Sequence, residues 1–248
     1  MPVAVALGGD PALIYAAGAP LPPGVDETAF AGWIRGGPVA MTPCGGGLAV
    51  PAAAEFVLEG YAEPGEEMPE GPFGNHTGRY VAAEPCPVFH LTGITHRRRP
   101  IYPATVVGPP PMEDCWLARA SQRLFLPLLR LDFPEIVDIH LPLETIFHGC
   151  ALVAVRKGTP GRELLRSLWR EGFLKSSRLL VLLDEEVDIR DLSAAWWHAV
   201  NRIDPARDVI VDGSRIGVDA TALDPGPLVG PDEATRELIE RRWGEYGI

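Results

Sequence analysis

The sequence has 248 residues, 46% hydrophobic and 22% charged, which is an ordinary composition for a globular protein with one large or two modest cores. The formal net charge of -11 disfavours nucleic acid as a partner, because the one basic cluster, at residues 96–99, is too short to reverse the field. The four cysteines are widely separated and no stretch reaches the roughly 18 consecutive apolar residues of a membrane span, so we expect a cytoplasmic protein with reduced thiols and no zinc site.

The first part of the chain consists of short apolar runs separated by glycine and proline turns. An apolar run followed by proline predicts a strand and then a helix, and Asp26 is a suitable N-cap for a second helix. Residues 1 to about 107 are therefore predicted to be mostly β with two helices. The predicted elements are a strand at Val3–Leu7, helices at Pro11–Ala17 and Glu27–Ile34, two strands between Val39 and Ala62, and strands at Val88–His96 and Ile101–Val107.

After the prolines at 109–111 the pattern changes to longer alternating units, so we place a boundary near residues 108–112. Buried strands that alternate with helices are typical of an α/β domain. The predicted helices are Leu117–Leu131, Arg162–Trp169 and Leu192–Arg202, and the predicted strands are Ile136–Ile139, Ala151–Val155, Leu179–Leu183 and Val209–Val211. An amphipathic helix at Asp232–Tyr246 follows a loop rich in proline and glycine, and we expect it to dock on a neighbour.

An ordered set of motifs runs along nearly the whole chain, and together they resemble the UbiD family of decarboxylases, that is, 3-polyprenyl-4-hydroxybenzoate decarboxylase and its relatives. The segments that carry the resemblance are Pro2–Gly8, Phe30–Gly32, Val50–Gly60, Glu70–Gly74 with His76–Gly78, Ile94–Arg97, Pro134–Asp138, Asp204–Asp208 and Gly213–Thr221.

The resemblance implies an α+β fold with a partial split β-barrel, flavin reductase-like, at residues 1–108, which holds prenylated FMN. An α/β dimerisation domain is expected at 109–222 and a C-terminal loop and helix at 223–248. Relatives extend further at the amino-terminal side, and there they carry an asparagine and a histidine for Mn²⁺ or Mg²⁺ and an arginine beside the active-site acids. We expect a second chain or an upstream segment to supply these groups, a flavin prenyltransferase to supply the cofactor, and the chain to form a homo-oligomer.

Three residues match the family's cofactor site by position. Pro20 lies in the loop that runs along the flavin, although Ala17 and Gly18 replace the family's hydroxyl-bearing residues there. Glu27 matches a metal-ligating glutamate, and carboxylate oxygen suits Mg²⁺ or Mn²⁺ at a phosphate; the alternative is an acid favoured by the dipole of its helix. Arg215 stands where the family has a lysine near the cofactor phosphate, and the alternative is an ordinary surface arginine.

Two further positions match the catalytic acids of the family. Glu70 is in place, whereas the second acid, the family's proton donor, is replaced by Asn75, whose amide releases no proton near neutral pH. Without the resemblance, Glu70–Asn75 reads as a glycine-proline turn with solvated polar ends. The adjacent tryptophans Trp196 and Trp197 are predicted to lie in a core or an interface.

Two functions follow from this set of residues. The first is a prenylated-FMN-dependent decarboxylase or carboxylase of aromatic or α,β-unsaturated carboxylic acids, or one component of it. The second is a UbiD-like subunit that is catalytically inactive and serves assembly, and Asn75 is the residue that points to it. The resemblance identifies neither the substrate nor the direction of reaction.

Overall fold

The protein is described by a computed structural model that covers residues 1–146, 149–170, 172–221, 226 and 229–247. Its first part consists of short antiparallel strands and two helices, α1 (Pro11–Ala17) and α2 (Glu27–Arg35). The strands are β1 (Pro2–Leu7), β2 (Met41–Pro43), β3 (Ala49–Pro51), β4 (Phe56–Tyr61), β5 (Glu67–Glu70), β6 (Phe73–Gly74), β7 (Tyr80–Val81), β8 (Glu84–Pro87) and β9 (His90–His96).

The largest of these sheets has the order β1-β4-β9, with β4 paired antiparallel to both neighbours. Strands β5 to β8 form a hairpin arm over residues 67–87, in which β5 pairs with β8 and β6 with β7. The two helices begin as predicted, because the Asp10 side chain accepts from Ala12 N at 2.9 Å and the Asp26 side chain from Ala29 N at 2.8 Å.

The second part is a five-stranded sheet with helices on both faces. Its elements are α3 (Glu113–Asp132), β10 (Ile136–His140), β11 (Cys150–Val155), α4 (Gly161–Arg170), β12 (Leu179–Asp184), α5 (Leu192–Asn201), α6 (Pro205–Asp208), β13 (Val209–Asp212) and β14 (Arg215–Asp219). The strand order is β10-β11-β12-β14-β13, in which β11, β12 and β14 are parallel and the outer strands β10 and β13 run antiparallel to their neighbours.

Alternate residues of the two central strands point to opposite faces of this sheet. Val153 and Leu182 pack under α3 and α4, whereas Leu152 and Leu183 pack under α5. All four are fully buried. Burial on both faces explains why these strands are continuous apolar runs in the sequence, and the α/β prediction for this part is confirmed.

Several predicted elements need correction. The segment 101–107 is not a strand: Tyr102 packs edge-on against Phe56 and Ile101 N donates to Glu55 Oε2 at 3.1 Å, but Ile101, Val106 and Val107 are exposed and the segment joins no sheet. Three strands, not two, lie between residues 39 and 62, and α3 begins at Glu113. The hairpin arm was missed because Pro69, Pro85 and Pro87 lie within its strands, where proline argues against a ladder.

Strand β14 was also missed, because Gly217 interrupts its apolar pattern. A C-terminal helix, α7 (Glu233–Arg241), is present as predicted, and it buries none of its residues against the described part of the chain. The boundary predicted between residues 222 and 223 lies outside the described residues. Together the elements make an α+β fold; no closed barrel is formed by the described strands, and the split barrel stays a prediction. Within the same ranges no helix is long and apolar enough to cross a bilayer.

Candidate functional site

A cavity of about 430 Å³ lies where α1 and the loop after it face α3. Its walls are mostly apolar, and its polar groups are hydroxyls and one carboxylate. It is lined by Ile14, Tyr15, Gly18, Pro20, Asp114, Leu117, Ala118, Ser121, Leu141, Phe173, Leu174, Ser176 and Ser177. An apolar cavity of this size with a few polar groups is the usual form of a small-molecule site.

The hydroxyls of Tyr15 and Ser121 form a hydrogen bond of 3.0 Å across this cavity wall, joining α1 to α3. Burial raises the pKa of Tyr15, so the phenol stays neutral and can donate or accept. Beside this pair the rings of Phe30, Phe125 and Phe173 follow one another with centroid distances of 5.9 and 5.6 Å. Sequence reasoning did not find these residues, since each reads as an apolar position or an isolated hydroxyl on a helix.

Of the five predicted site residues, Pro20 is the one that lines this cavity. Glu27 lies in the first turn of α2, exposed and next to the N-cap Asp26, which is also where the helix dipole favours an acid. Among the described residues no group of three or more histidine, cysteine or acidic side chains could hold a metal ion. The residues present therefore do not fit a divalent metal by themselves.

Glu70 is the last residue of β5 and is directly opposite Glu84 of β8. Its side chain is exposed, on the hairpin arm, and does not line the cavity. A hydrogen bond to Glu70, together with neighbouring acids, raises the pKa of the Cys86 thiol, which stays protonated near neutral pH. The arm thus holds one predicted catalytic acid in an acidic, solvent-facing environment.

Asn75 lies in the turn between β6 and β7, where its side chain has a structural partner. Its Oδ1 accepts from Thr77 N at 2.9 Å and from Thr77 Oγ1 at 2.6 Å, while its backbone carbonyl accepts from Gly78 N at 3.0 Å. This is the turn geometry that asparagine and aspartate share. The amide Nδ2 is the part of the side chain with hydrogen-bonding capacity left for another group.

Arg215 begins β14 and lies in a different depression, of about 420 Å³, between β13, β14 and α4. Its Nη1 donates to the carbonyl oxygen of Trp169 at 3.2 Å. The lining of this depression shares no residue with that of the Pro20 cavity. The structure thus does not bring Arg215 together with Pro20, Glu27, Glu70 or Asn75 in one cavity.

The tryptophans of α5 lie at the surface, with 39% of Trp196 and 58% of Trp197 exposed. The prediction that they belong to a core is wrong for this chain, because α5 packs on the sheet through Ala195 and Ala199 instead. Their role in an interface stays a prediction.

Two family models match the chain. Residues 1–110 match the 3-octaprenyl-4-hydroxybenzoate carboxy-lyase Rift-related domain of UbiD, and residues 115–227 match the corresponding C-terminal domain. An uncharacterized protein of Archaeoglobus fulgidus is 45% identical over 271 residues, an alignment that covers 98% of this chain and 56% of that protein. The chain thus spans little more than half the length of this relative.

Solved structures are similar over the same extent. An evolved dimeric form of the UbiD-class enzyme HmfF from Pelotomaculum thermopropionicum, in complex with prFMN, has a TM-score of 0.79 and 28% identity; 95% of this chain and 56% of that chain are covered. The closed form of vanillic acid decarboxylase from Sedimentibacter hydroxybenzoicus has a TM-score of 0.84 and 25% identity; 99% of this chain and 58% of that chain are covered.

Proposed function

The chain belongs to the UbiD family, and from that premise we propose that it is the cavity-bearing part of a prenylated-FMN-dependent decarboxylase of aromatic or α,β-unsaturated carboxylic acids. The observation that carries the proposal is the apolar cavity between α1 and α3, which Pro20 lines. HmfF is bound to prFMN and a second similar structure is a vanillic acid decarboxylase, so a planar ring and an aromatic acid are the ligands to expect. We retain the division into domains at 1–108, 109–222 and 223–248 as part of this proposal.

Prenylated FMN, when bound, supplies the electron sink for the bond that breaks as CO₂ leaves. The residues of this chain would hold and orient the flavin. The apolar walls of the cavity would exclude water from the flavin ring, and the Tyr15–Ser121 pair would offer one polar contact at the side of the cavity. Glu70 would be the one catalytic acid of the family's pair that remains. Asn75 Nδ2 would donate a hydrogen bond at the position where the family has its proton donor. The role of Arg215 at the cofactor phosphate stays a prediction.

The relatives contain a part that has no counterpart in this sequence, and the proposal assigns a role to that part. We propose that this part, encoded upstream or as a second polypeptide, provides the metal ligands and the arginine, because Glu27 lacks companions for a metal in the described part of the chain. A flavin prenyltransferase would supply the cofactor in the cytoplasm, where free cysteines persist. Self-association would use the α/β part, in which Trp196 and Trp197 are exposed.

The alternative is a non-catalytic UbiD-like subunit, and Asn75 is the observation that favours it. An amide in the turn after β6 satisfies Thr77 as well as a carboxylate would, so the position can be kept for structure alone. Under this alternative the cavity would bind no flavin in any combination of chains.

The test is to co-express the chain with a flavin prenyltransferase, with and without a segment that supplies the rest of the family's length, and to record visible absorbance of the purified protein. We expect flavin with the added segment and little or none with the chain alone, since the described residues include no group of side chains that could hold the metal of the phosphate-metal clamp. Metal-dependent, stoichiometric flavin binding by the chain alone would show that the added segment is not needed. No flavin in either preparation would leave the non-catalytic alternative.

A matched pair of variants tests whether the cavity is the site. Leu117 and Leu128 lie on the same helix and are 42% and 41% exposed, but Leu117 lines the cavity and Leu128 does not. In the preparation with the added segment, we expect Leu117→Trp to abolish flavin retention by filling the cavity, and Leu128→Trp to leave it unchanged. Equal retention by the two variants would place the flavin elsewhere.

A further inference from the structure

Among the described residues, no cationic side chain lines the cavity between α1 and α3. The one charged group of the lining is the carboxylate of Asp114. Lys175 precedes Ser176 of the lining in sequence, but it is exposed and does not line the cavity. A carboxylate that entered the cavity would therefore meet a like charge and no opposite charge.

The charge of Asp114 has no partner within the described part of the chain. Asp114 is half-buried in the first turn of α3, and none of the nine ion pairs between described residues includes it. The N-terminus of a helix attracts anions with the equivalent of roughly half a positive charge. Glu113 and Asp114 place two negative charges in that same turn, so they outweigh the dipole for any further anion.

The hydroxyl of Ser177 is the most enclosed polar group of the cavity. Ser177 is 2% exposed, its amide donates to the carbonyl oxygen of Leu174 at 3.0 Å, and its carbonyl oxygen accepts from Trp169 Nε1 at 3.1 Å. Its hydroxyl lines the cavity and forms no hydrogen bond with another described residue. This hydroxyl is therefore left to bond to whatever occupies the cavity.

Tyr15 and Ser121 supply the second set of uncharged polar groups. Their mutual bond of 3.0 Å uses one hydroxyl hydrogen, so the other hydrogen is left to donate and both oxygens keep lone pairs. Hydroxyls can donate as well as accept. Together with Ser177 they offer a ligand both kinds of hydrogen bond without any positive charge.

We propose that the end of a ligand that enters this cavity is uncharged and hydrogen-bonding, and that Asp114 is the residue that excludes a carboxylate from it. Burial of a second carboxylate beside Asp114 without a cation costs more free energy than the hydroxyls recover. An amide, carbonyl or hydroxyl group instead finds donors and acceptors. For a decarboxylase, and here the inference rests on the proposed function, the substrate carries one carboxylate that is directed away from the cavity, and an aromatic diacid is a poor substrate.

The first test compares benzamide with benzoate, which have nearly the same shape and differ in charge. Each is titrated into the full chain at neutral pH and low ionic strength, and binding is followed by ligand-observed NMR. We expect benzamide to bind at least about tenfold more tightly than benzoate. No saturable binding of benzamide, or benzoate that binds as tightly as benzamide, would overturn the proposal.

Asp114 and Glu113 provide a matched pair of variants in one helical turn, since Asp114 lines the cavity and Glu113 does not. We expect Asp114→Asn to narrow the ratio of the two affinities by about tenfold, because benzoate gains affinity. Glu113→Gln should leave the ratio nearly unchanged. A damaged fold cannot produce a gain of benzoate binding. An unchanged ratio in Asp114→Asn, or an equal change in Glu113→Gln, would contradict the role of Asp114.

Further variants locate the probe and its hydrogen bond. Leu117→Trp, which fills the cavity, should remove benzamide binding, whereas Leu128→Trp should not. Ser177→Ala should weaken benzamide several-fold and leave toluene, which has no hydrogen-bonding group, unchanged. Benzamide binding that survives Leu117→Trp would place the probe outside the cavity and refute the proposal. Equal losses of benzamide and toluene in Ser177→Ala would remove Ser177 from it.

These measurements need neither flavin nor the added segment, so their outcome is separate from that of the proposed function. If no flavin is retained in any preparation and the preference for benzamide holds, the cavity is a site for an uncharged ligand in a protein of another activity. If flavin is retained and benzoate binds as tightly as benzamide, the proposed function stands and the charge selectivity is wrong.

Discussion

Residues 1–110 and residues 112–221 differ in how much apolar surface each part buries by itself. Among the described residues, four apolar side chains of the first part are buried, Ala16, Ala31, Val50 and Val57, whereas thirty are buried between Met112 and Ala220. The second part has a sheet covered by helices on both faces; its strand β11 is buried throughout, and β12 is buried except at its two end residues. The first part has small sheets whose side chains are mostly half-buried or exposed.

The two parts therefore obtain their stability from different sources. A domain of about 110 residues normally buries well over half of its unfolded surface, and the first part lacks the core for this. Its outer strands β1 and β9 have one neighbour each within the described ranges, so both leave backbone groups open to pairing. The candidate catalytic residues Glu70 and Asn75 are thus on the first part, which depends on contacts with other surfaces for its stability. The cavity lies where this part meets the second part, which has a core of its own.

Division of the chain should have the largest effect. We expect a fragment of residues 111–248 to unfold cooperatively in urea, because it retains nearly the whole buried core. A fragment of residues 1–110 should show no cooperative transition, since it has too little burial to offset its conformational entropy. Urea titration followed by circular dichroism measures both. A sharp transition in the 1–110 fragment would remove the contrast between the two parts.

Truncation of single side chains in the two cores should have the next largest effect on stability. Leu182→Ala, in the fully buried centre of β12, should lower the free energy of unfolding by about 2–5 kcal/mol. Val57→Ala, in the centre of the smaller sheet, should cost about 1–2 kcal/mol. Leu131→Ala, at a position 79% exposed on α3, serves as the control and should change stability by less than about 0.5 kcal/mol. A cost for Val57→Ala equal to that for Leu182→Ala would indicate a stronger first core than we describe.

A smaller, pH-dependent effect is expected at Asp208, a buried carboxylate of the second part. Arg207 donates to it from Nε at 2.6 Å and from Nη2 at 2.7 Å, and these bonds hold the pKa of Asp208 below its ordinary value of 3.8. A lowered folded pKa contributes stability that is present above the unfolded pKa and is lost as the pH falls through the folded one. Asp208→Asn should therefore cost about 1–3 kcal/mol at neutral pH.

That cost should shrink as the pH falls below about 4, the region of the unfolded pKa. Urea midpoints measured across this range would show the two proteins converging. Asp212→Asn, on the exposed end of β13, is the matched control, and its difference from wild type should stay small throughout. A cost for Asp208→Asn that stays constant down to the most acidic pH would show that the carboxylate charge is not the cause.

The smallest effect on stability is expected for Asn75→Asp, within about 0.5 kcal/mol, because a carboxylate accepts the same two bonds from Thr77. Turnover is the sharper measurement. In an assay reconstituted with the rest of the family's length, a restored general acid should raise decarboxylation by up to about 10²-fold.

Glu70→Gln completes this experiment. If Glu70 has taken over proton return, Asn75→Asp will change turnover little and Glu70→Gln will abolish it. If neither substitution alters turnover while the flavin is demonstrably bound, neither residue takes part in the mechanism, and the hairpin arm has only a structural role.

Elements with local sequence signals could be predicted from the sequence. Pro11 and Asp26 mark the starts of α1 and α2, Asp26 through a hydrogen bond from the backbone amide three residues on, and unbroken apolar runs mark strands buried on both faces. The ordered motifs also identified the family, because they span both matched domains. Elements that depend on distant partners were missed, such as the proline-containing hairpin arm and β14.

Which residues share a site depends on how distant elements pack together, and the sequence does not show this. Tyr15 and Ser121 are 106 positions apart and meet because α1 packs beside α3. Arg215 meets α4 because Gly217 has no Cβ to hold the helix away. Neither contact has a signal in the local sequence. Each depends on the free energy of packing whole elements together, and this packing fixes the positions of side chains that their own segments do not orient.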